Sequence, residues 1–364
     1  MYKFKLNVIF KKATSLFFLF LLACNTSQPT LETIQEEDAF IRAADMSFVP
    51  LILSENYQYL NANNQVENPL LTLQKAGCNT IRIRLWVNPV DATSSLGEVK
   101  MLAQQVRNLK MKVWLCIHYS DTWADPGSQT TPSAWANFSF LDLKQAVSIY
   151  TTTAISEIKP EIVQIGNEIN SGFMWPNGHL YNQESQCLQL LAAASAAVRA
   201  QSPSTKIMLH YAGIGADANL FFNKLKTIDY DYIGLSFYPI WHGKNLGEVT
   251  STINTLGQNY AKKVIIAETS YPFTLGFNDF TNNVLGLDSQ IMSAYPATND
   301  GQFSYLKNIK TAIKTSSHGI GFCYWGAEWV AFRGSTSSNG SSWENQALWD
   351  FNKKALPAMG IFSR

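Results

Sequence analysis

The chain has 364 residues, 46% of them hydrophobic, 13% aromatic and 15% charged, with a formal net charge of +1. A chain this apolar can bury a large core, and a charge so near zero provides no basic face for nucleic acid and favours a neutral ligand over an anionic polymer. Past residue 38 no low-complexity break divides it, so residues 39–364 read as one domain, expected to act as a monomer.

The first residues, MYKFKLNVIFKKATSLFFLFLLACNTS, place four lysines ahead of the apolar run Leu16 to Ala23. That run is too short to span a bilayer and has the order of a secretion signal. Its end, Leu21, Leu22, Ala23, Cys24, resembles the bacterial lipobox, which implies cleavage after residue 23 and acylation of the Cys24 thiol. The competing reading is an ordinary signal peptide that happens to contain a cysteine. Residues 24–38, mostly Ser, Thr, Gln, Pro and Glu, are too polar to pack and read as a tether. The expectation is a secreted protein held to a bacterial membrane by its lipid alone, at the outer membrane or cell surface.

From there short apolar, β-rich runs recur: Phe40 to Asp45, Thr80 to Trp86, Lys112 to His118, Ile162 to Asn167, Lys206 to His210, Tyr232 to Tyr238, Val264 to Glu268 and Ile320 to Trp325. Helical patterns alternate with them, among them Val99 to Leu109, Leu143 to Glu157, Glu184 to Ala200, Leu246 to Tyr260 and Gln302 to Lys314. Eight βα units predict an α/β fold, a closed (β/α)8 TIM barrel. An open sheet would carry a Gly-rich phosphate loop after the first strand, where Ala43, Ala44, Asp45 and Met46 stand instead. Cys78, Cys116, Cys187 and Cys323 form no CxxC pair, and the expectation is buried free thiols.

Polar and aromatic residues cluster where the strand candidates end: Asp45, Arg82, Arg84, His118, Asn167, Glu168, His210, Tyr238, Glu268 and Trp325. The C-terminal ends of barrel strands share one face, so these groups would converge on one cleft. Glu168 in VQIGNEIN and Glu268 in VIIAETSYP close the fourth and seventh candidates. Two facing carboxyls about 5 to 5.5 Å apart are what glycosidic hydrolysis with retention needs, one to protonate the leaving oxygen and one to attack the anomeric carbon.

An Asn-Glu pair ending strand four and a Glu ending strand seven resemble the clan of retaining (β/α)8 glycosidases. The resemblance implies Glu168 as acid/base, Glu268 as nucleophile, Arg82 and Tyr238 as groups that hold the nucleophile ionised, Asn167 against the sugar 2-hydroxyl and Trp325 as a sugar-stacking floor. The strings RIRLWVNP (Arg82 to Pro89), HYSDTWADPGSQ (His118 to Gln129), VQIGNEI with WPNG, IGLSFYPIW and SWENQALWDF (Ser342 to Phe351) are similar to glycoside hydrolase family 53. That implies an endo-β-1,4-galactanase acting on galactan, the pectic side chain, or on type I arabinogalactan. A sibling activity such as mannanase or cellulase and a non-catalytic glycan-binding surface lipoprotein are the alternatives.

Trp86 and Trp123, near strand ends two and three, are candidates for a sugar platform, at least one of the two serving as such. Arg84 shares a strand face with Arg82 and is placed either on the same carboxylate or only in the core rim. His118 reads as a polar rim group, His210 as a site residue or a structural bond to a neighbouring strand, and Asp121 and Asp125 as turn and capping groups. Bacterial members of the family can hold calcium in the loop after strand seven. Here that loop, GFNDFTNN (Gly276 to Asn283), keeps Asp279 but has Phe277 where an early carboxylate is expected, so the expectation is no cofactor, with calcium as the alternative.

Overall fold

The computed structural model describes residues 39–364; the leader, Cys24 and the tether lie outside the described residues. Strands β1 (Ile41–Asp45), β2 (Thr80–Leu85), β3 (Lys112–Ile117), β4 (Ile162–Ile165), β5 (Lys206–Ala212), β6 (Tyr232–Ser236), β7 (Lys263–Thr269) and β8 (Gly319–Tyr324) pair in chain order, all parallel, and β8 closes on β1. This is the predicted barrel. The five predicted helices form at Leu96–Asn108, Phe140–Ile158, Glu184–Gln201, Leu246–Tyr260 and Asn299–Lys314. Shorter helices at Pro69–Ala76 and Ala216–Lys224 were not among the patterns singled out. Cys78, Cys116, Cys187 and Cys323 are buried and free, as expected.

Two apolar layers hold the barrel together. The larger lies between strands and helices, and the smaller fills the barrel with Ile41, Ala43, Trp114, Ile162, Met208, Ile265, Ala267 and Cys323. These inner residues alternate along their strands, and on four strands the next inward residue leaves the apolar plug for the mouth: Asp45, Cys116, Gln164 and His210 follow Ala43, Trp114, Ile162 and Met208. The barrel is thus a dry plug below and a polar mouth above. Gly234 on β6 makes the plug fit, because a Cβ there would meet the Met208 sulfur at 2.6 Å.

Candidate active site

Two local departures from strand geometry aim the glutamates. On β7 simple alternation makes Ile265 and Ala267 face inward, which would send Glu268 outward toward the helices. The β6–β7 register slips at this point, so Glu268 pairs with Ser236 while Ile266 pairs with Leu235, and the carboxylate turns into the mouth. After β4, Gly166 and Glu168 both take left-handed backbone, with φ of 75° and 47°. A side chain at Gly166 would meet Ile169 at 2.4 Å, so glycine is required. Glu168 is held in its unusual conformation by the Gln129 amide, which donates to the Asn167 carbonyl at 2.8 Å and the Glu168 carbonyl at 3.3 Å.

The result brings a carboxylate oxygen of Glu168, one of Glu268 and a ring nitrogen of His210 within 4.8 Å of one another. That closeness matches the separation used for retention and excludes the ~6.5–9.5 Å gap that admits a water for inversion. The two carboxyls have unlike surroundings. Arg82 on β2 lies 2.8 Å from Glu268 Oε1 and 2.8 Å from Asp45 Oδ2, and the Tyr238 hydroxyl donates to Glu268 Oε2 at 3.0 Å. Among the described residues Glu168 has no cation in ion-pair contact, and its carboxyl receives the Ser236 hydroxyl, at 2.5 Å.

Electrostatics follows this asymmetry. Burial first, and then the charge of Glu268, push the Glu168 carboxyl up to about 8, against the Ser236 hydrogen bond and Arg82. Burial lifts Glu268 as well, but the Arg82 guanidinium and the Tyr238 and Arg82 hydrogen bonds oppose it. The single proton that two such neighbours share near neutrality therefore sits on Glu168, with Glu268 charged. Burial and the two carboxylates keep the Tyr238 phenol protonated and able to donate. Burial, followed by the positive charges of Arg84 and Arg82, holds His118 well below its ordinary value and so neutral.

The remaining sequence candidates divide. Asn167 accepts from Arg82 Nη2 at 2.7 Å and donates to the Ala124 carbonyl at 2.9 Å, which fixes its amide beside the glutamates. His118 lines the cleft and accepts from the Ala124 amide at 3.1 Å. Arg84 does not reach the nucleophile's carboxylate. Its guanidinium is trapped between Trp123 at 4.0 Å, Phe48 at 4.5 Å and Trp86 at 4.5 Å, and its Nε donates to Ser94 at 3.0 Å, so of the two placements expected for it the rim is the one observed. Trp123 and Trp325 line the cleft, which encloses about 570 Å³, whereas Trp86 packs edge-on behind Trp123 at 5.8 Å. Asp121 accepts from Ser133 and Asn88, and Asp125 from the Gly127 amide, the turn and capping roles expected.

Sequence reasoning passed over three more aromatic walls and a polar layer. Trp241, Trp329 and Trp343 line the same cleft, with Trp343 edge-on to Trp325 at 4.7 Å and near parallel to Trp241 at 6.3 Å. Two of them stood inside motifs used for the resemblance, and position alone could not tell a platform from packing. Gln164 and Ser236 form the polar layer beneath Glu168, and nothing in their one-letter context marks them.

The loop after β7 holds a separate cluster. Asp279 Oδ2, Asn283 Oδ1 and Glu344 Oε2 are buried side-chain oxygens without a hydrogen-bond partner. Burial and the nearby Asp279 charge lift Glu344 above its ordinary value. Orphaned carboxylate and amide oxygens are the donor type a hard cation needs, and Glu344, from the loop after β8, would supply the second carboxylate to a calcium held by Asp279 and Asn283.

Comparison with known proteins agrees with this geometry. A family model described as Glycosyl hydrolase family 53 matches residues 41–362. The chain is 34% identical over 349 residues to an arabinogalactan endo-β-1,4-galactanase of Cellvibrio japonicus, covering 90% of this chain and 92% of that one. It is 29% identical over 373 residues to an endo-β-1,4-galactanase of Bacillus subtilis, covering 89% and 85%. Among solved structures, a family 53 catalytic domain of Ignisphaera aggregans superimposes with a TM-score of 0.85 at 36% identity, covering 89% of this chain and 95% of that one. By the match along nearly all of its described residues and by the closed barrel that carries the two glutamates, the chain belongs to glycosyl hydrolase family 53.

Proposed function

We propose that the protein is a retaining endo-β-1,4-galactanase that cuts internal bonds of pectic galactan and type I arabinogalactan. The observation that carries the reading is the pair of carboxyls within 4.8 Å whose surroundings place the proton on Glu168 and the charge on Glu268. Glu168 gives its proton to the leaving galactosyl oxygen while Glu268 attacks the anomeric carbon, forming a covalent galactosyl-enzyme and releasing the shortened chain. Having given up its proton, Glu168 is now the carboxylate; with the Glu268 charge consumed in the new bond, no repulsion opposes that ionised form, and Glu168 takes a proton from water. The water oxygen bonds to the anomeric carbon, and Glu268 leaves as the carboxylate. Arg82 and Tyr238 stabilise that restored charge, and Asn167 stands where it can donate to the sugar 2-hydroxyl.

Trp123, Trp241, Trp325, Trp329 and Trp343 supply flat apolar faces for the apolar sides of galactose rings. The galactanase names of the Cellvibrio and Bacillus relatives support galactan over mannan or cellulose. Reducing-sugar release from a panel of galactan, mannan, xylan and cellulose tests this: galactan alone is expected to be cut, and turnover of another polymer with galactan untouched overturns it. Binding of galactan without turnover would establish a glycan-binding protein instead.

The same reading assigns residues 1–23 to a lipoprotein signal, Cys24 to acylation and residues 24–38 to a tether, which holds the enzyme on a bacterial membrane by lipid alone. The orphaned oxygens of Asp279, Asn283 and Glu344 are assigned to a structural calcium that ties the loops after β7 and β8 together. No chemical step passes through it.

A further inference from the structure

Four groups below Glu168 form a hydrogen-bonded chain whose direction is fixed by its first members. Arg82 can only donate, and its Nε gives a hydrogen to Gln164 Oε1 at 3.2 Å, so the Gln164 amide nitrogen faces the other way, where its two hydrogens are shared among His210 Nδ1 at 2.9 Å, the Gly166 carbonyl at 3.0 Å and Asn167 Oδ1 at 3.0 Å. The backbone N–H of Glu168, whose direction is set by the chain itself, also points at His210 Nδ1, at 3.3 Å. Nδ1 is therefore an acceptor. Asn167 Oδ1, 3.2 Å from the same nitrogen, already accepts from Arg82 Nη2 at 2.7 Å. A neutral imidazole has one hydrogen, which must then sit on Nε2, 3.0 Å from the Ser236 hydroxyl. Having accepted from His210, Ser236 can give its single hydrogen only to Glu168 Oε1. Gln164, His210 and Ser236 are fully buried, so no bulk water reverses the order.

We infer that Ser236, oriented by His210, is a positioning residue that makes Glu168 Oε1 a permanent acceptor and so confines the transferable proton to Oε2. This rests on Glu168 being the acid. A carboxyl free to hold its proton on either oxygen would spend part of its time with the hydrogen turned away from the glycosidic oxygen. The other charged or titratable groups facing Glu168 are Glu268 on β7, Tyr238 after β6, Arg82 on β2 and Asp125 after β3; Arg82 and Tyr238 are both engaged with Glu268, and none of the four bonds to Oε1.

Nitrogen NMR of the native enzyme labelled at histidine reads the direction without any substrate. The His210 signals, identified as those that shift in Ser236→Ala, are expected to show a protonated Nε2 and a bare Nδ1. A protonated Nδ1 would reverse the chain and overturn the inference, whatever polysaccharide the enzyme cuts. Kinetics separates positioning from packing. Ser236→Ala should lose roughly 10- to 100-fold in kcat/KM on galactan, part of what a general acid contributes. Its first turnover of an activated dinitrophenyl β-galactobioside, whose leaving group departs without a proton, should stay within about threefold of the parent. Ser236→Thr, which keeps the hydroxyl, should regain most of the galactan activity. Equal losses on both substrates would leave Ser236 a purely structural residue and sink the proposal.

Discussion

Arg82 shows how much of the site rests on one side chain. Its guanidinium serves Asp45, Glu268, Asn167 and Gln164 at once, from a position 2% exposed, and only a planar fork of donors can do so. Replacing Arg82 with leucine should destabilise the protein by about 3–5 kcal/mol in a denaturant titration, because two buried carboxylates would lose their cation. Arg82→Lys should keep more of the stability yet lose most of the activity. Glu168 gives a pH prediction with a definite sign. It works as an acid only while protonated, so kcat/KM on galactan should fall as pH rises through about 8. Its folded value lies above the ordinary 4.5, so its contribution to stability is complete below that value and is lost as pH climbs through about 8. Glu168→Gln should therefore match the parent in melting temperature in acid and exceed it in alkali. A parent enzyme whose basic limb lay well below neutrality would contradict the assignment of the resting proton.

The strands carry a different lesson. All eight were legible from apolar runs, and so was the mouth, because the residues that end those runs are the polar ones. What the pattern could not carry was the one-residue slip on β7 that turns Glu268 inward, or the left-handed turn at Gly166 that aims Glu168: neither leaves a mark in hydrophobic alternation. Arg84 stayed ambiguous for the same reason, since sharing a face with Arg82 does not say that three aromatic rings will reach it first. Gly166→Ala should cost about 1–3 kcal/mol of stability and lower kcat, because a β-carbon strains the turn that holds the acid. The loop after β7 was judged from its own residues, and its second carboxylate, Glu344, arrives from the loop after β8, which no local scan would pair with it. If calcium ties these loops, chelation should lower the melting temperature by several degrees, and Asp279→Asn should abolish the response to added calcium. An identical melting curve with and without chelator would remove the cation from the account.

Taken whole, the described residues form a barrel whose mouth is a cleft walled by aromatic rings. A cleft lined on several sides by tryptophans suits a polymer bound along its length, so the viscosity of a galactan solution should drop early, before much reducing sugar appears. Release of galactose alone from the first minutes would instead describe an enzyme that works from chain ends. In cells, Cys24→Ala should move activity from the membrane fraction to the soluble fraction without changing kcat on galactan. All of this depends on which carboxylate bonds to sugar. A galactobioside with fluorine beside the anomeric carbon and an activated leaving group forms the covalent intermediate but releases it slowly, and peptide mass spectrometry then finds the labelled residue. A single sugar adduct on Glu268 is expected; an adduct on Glu168, or none while the leaving group is still released, would overturn Glu268 as the nucleophile.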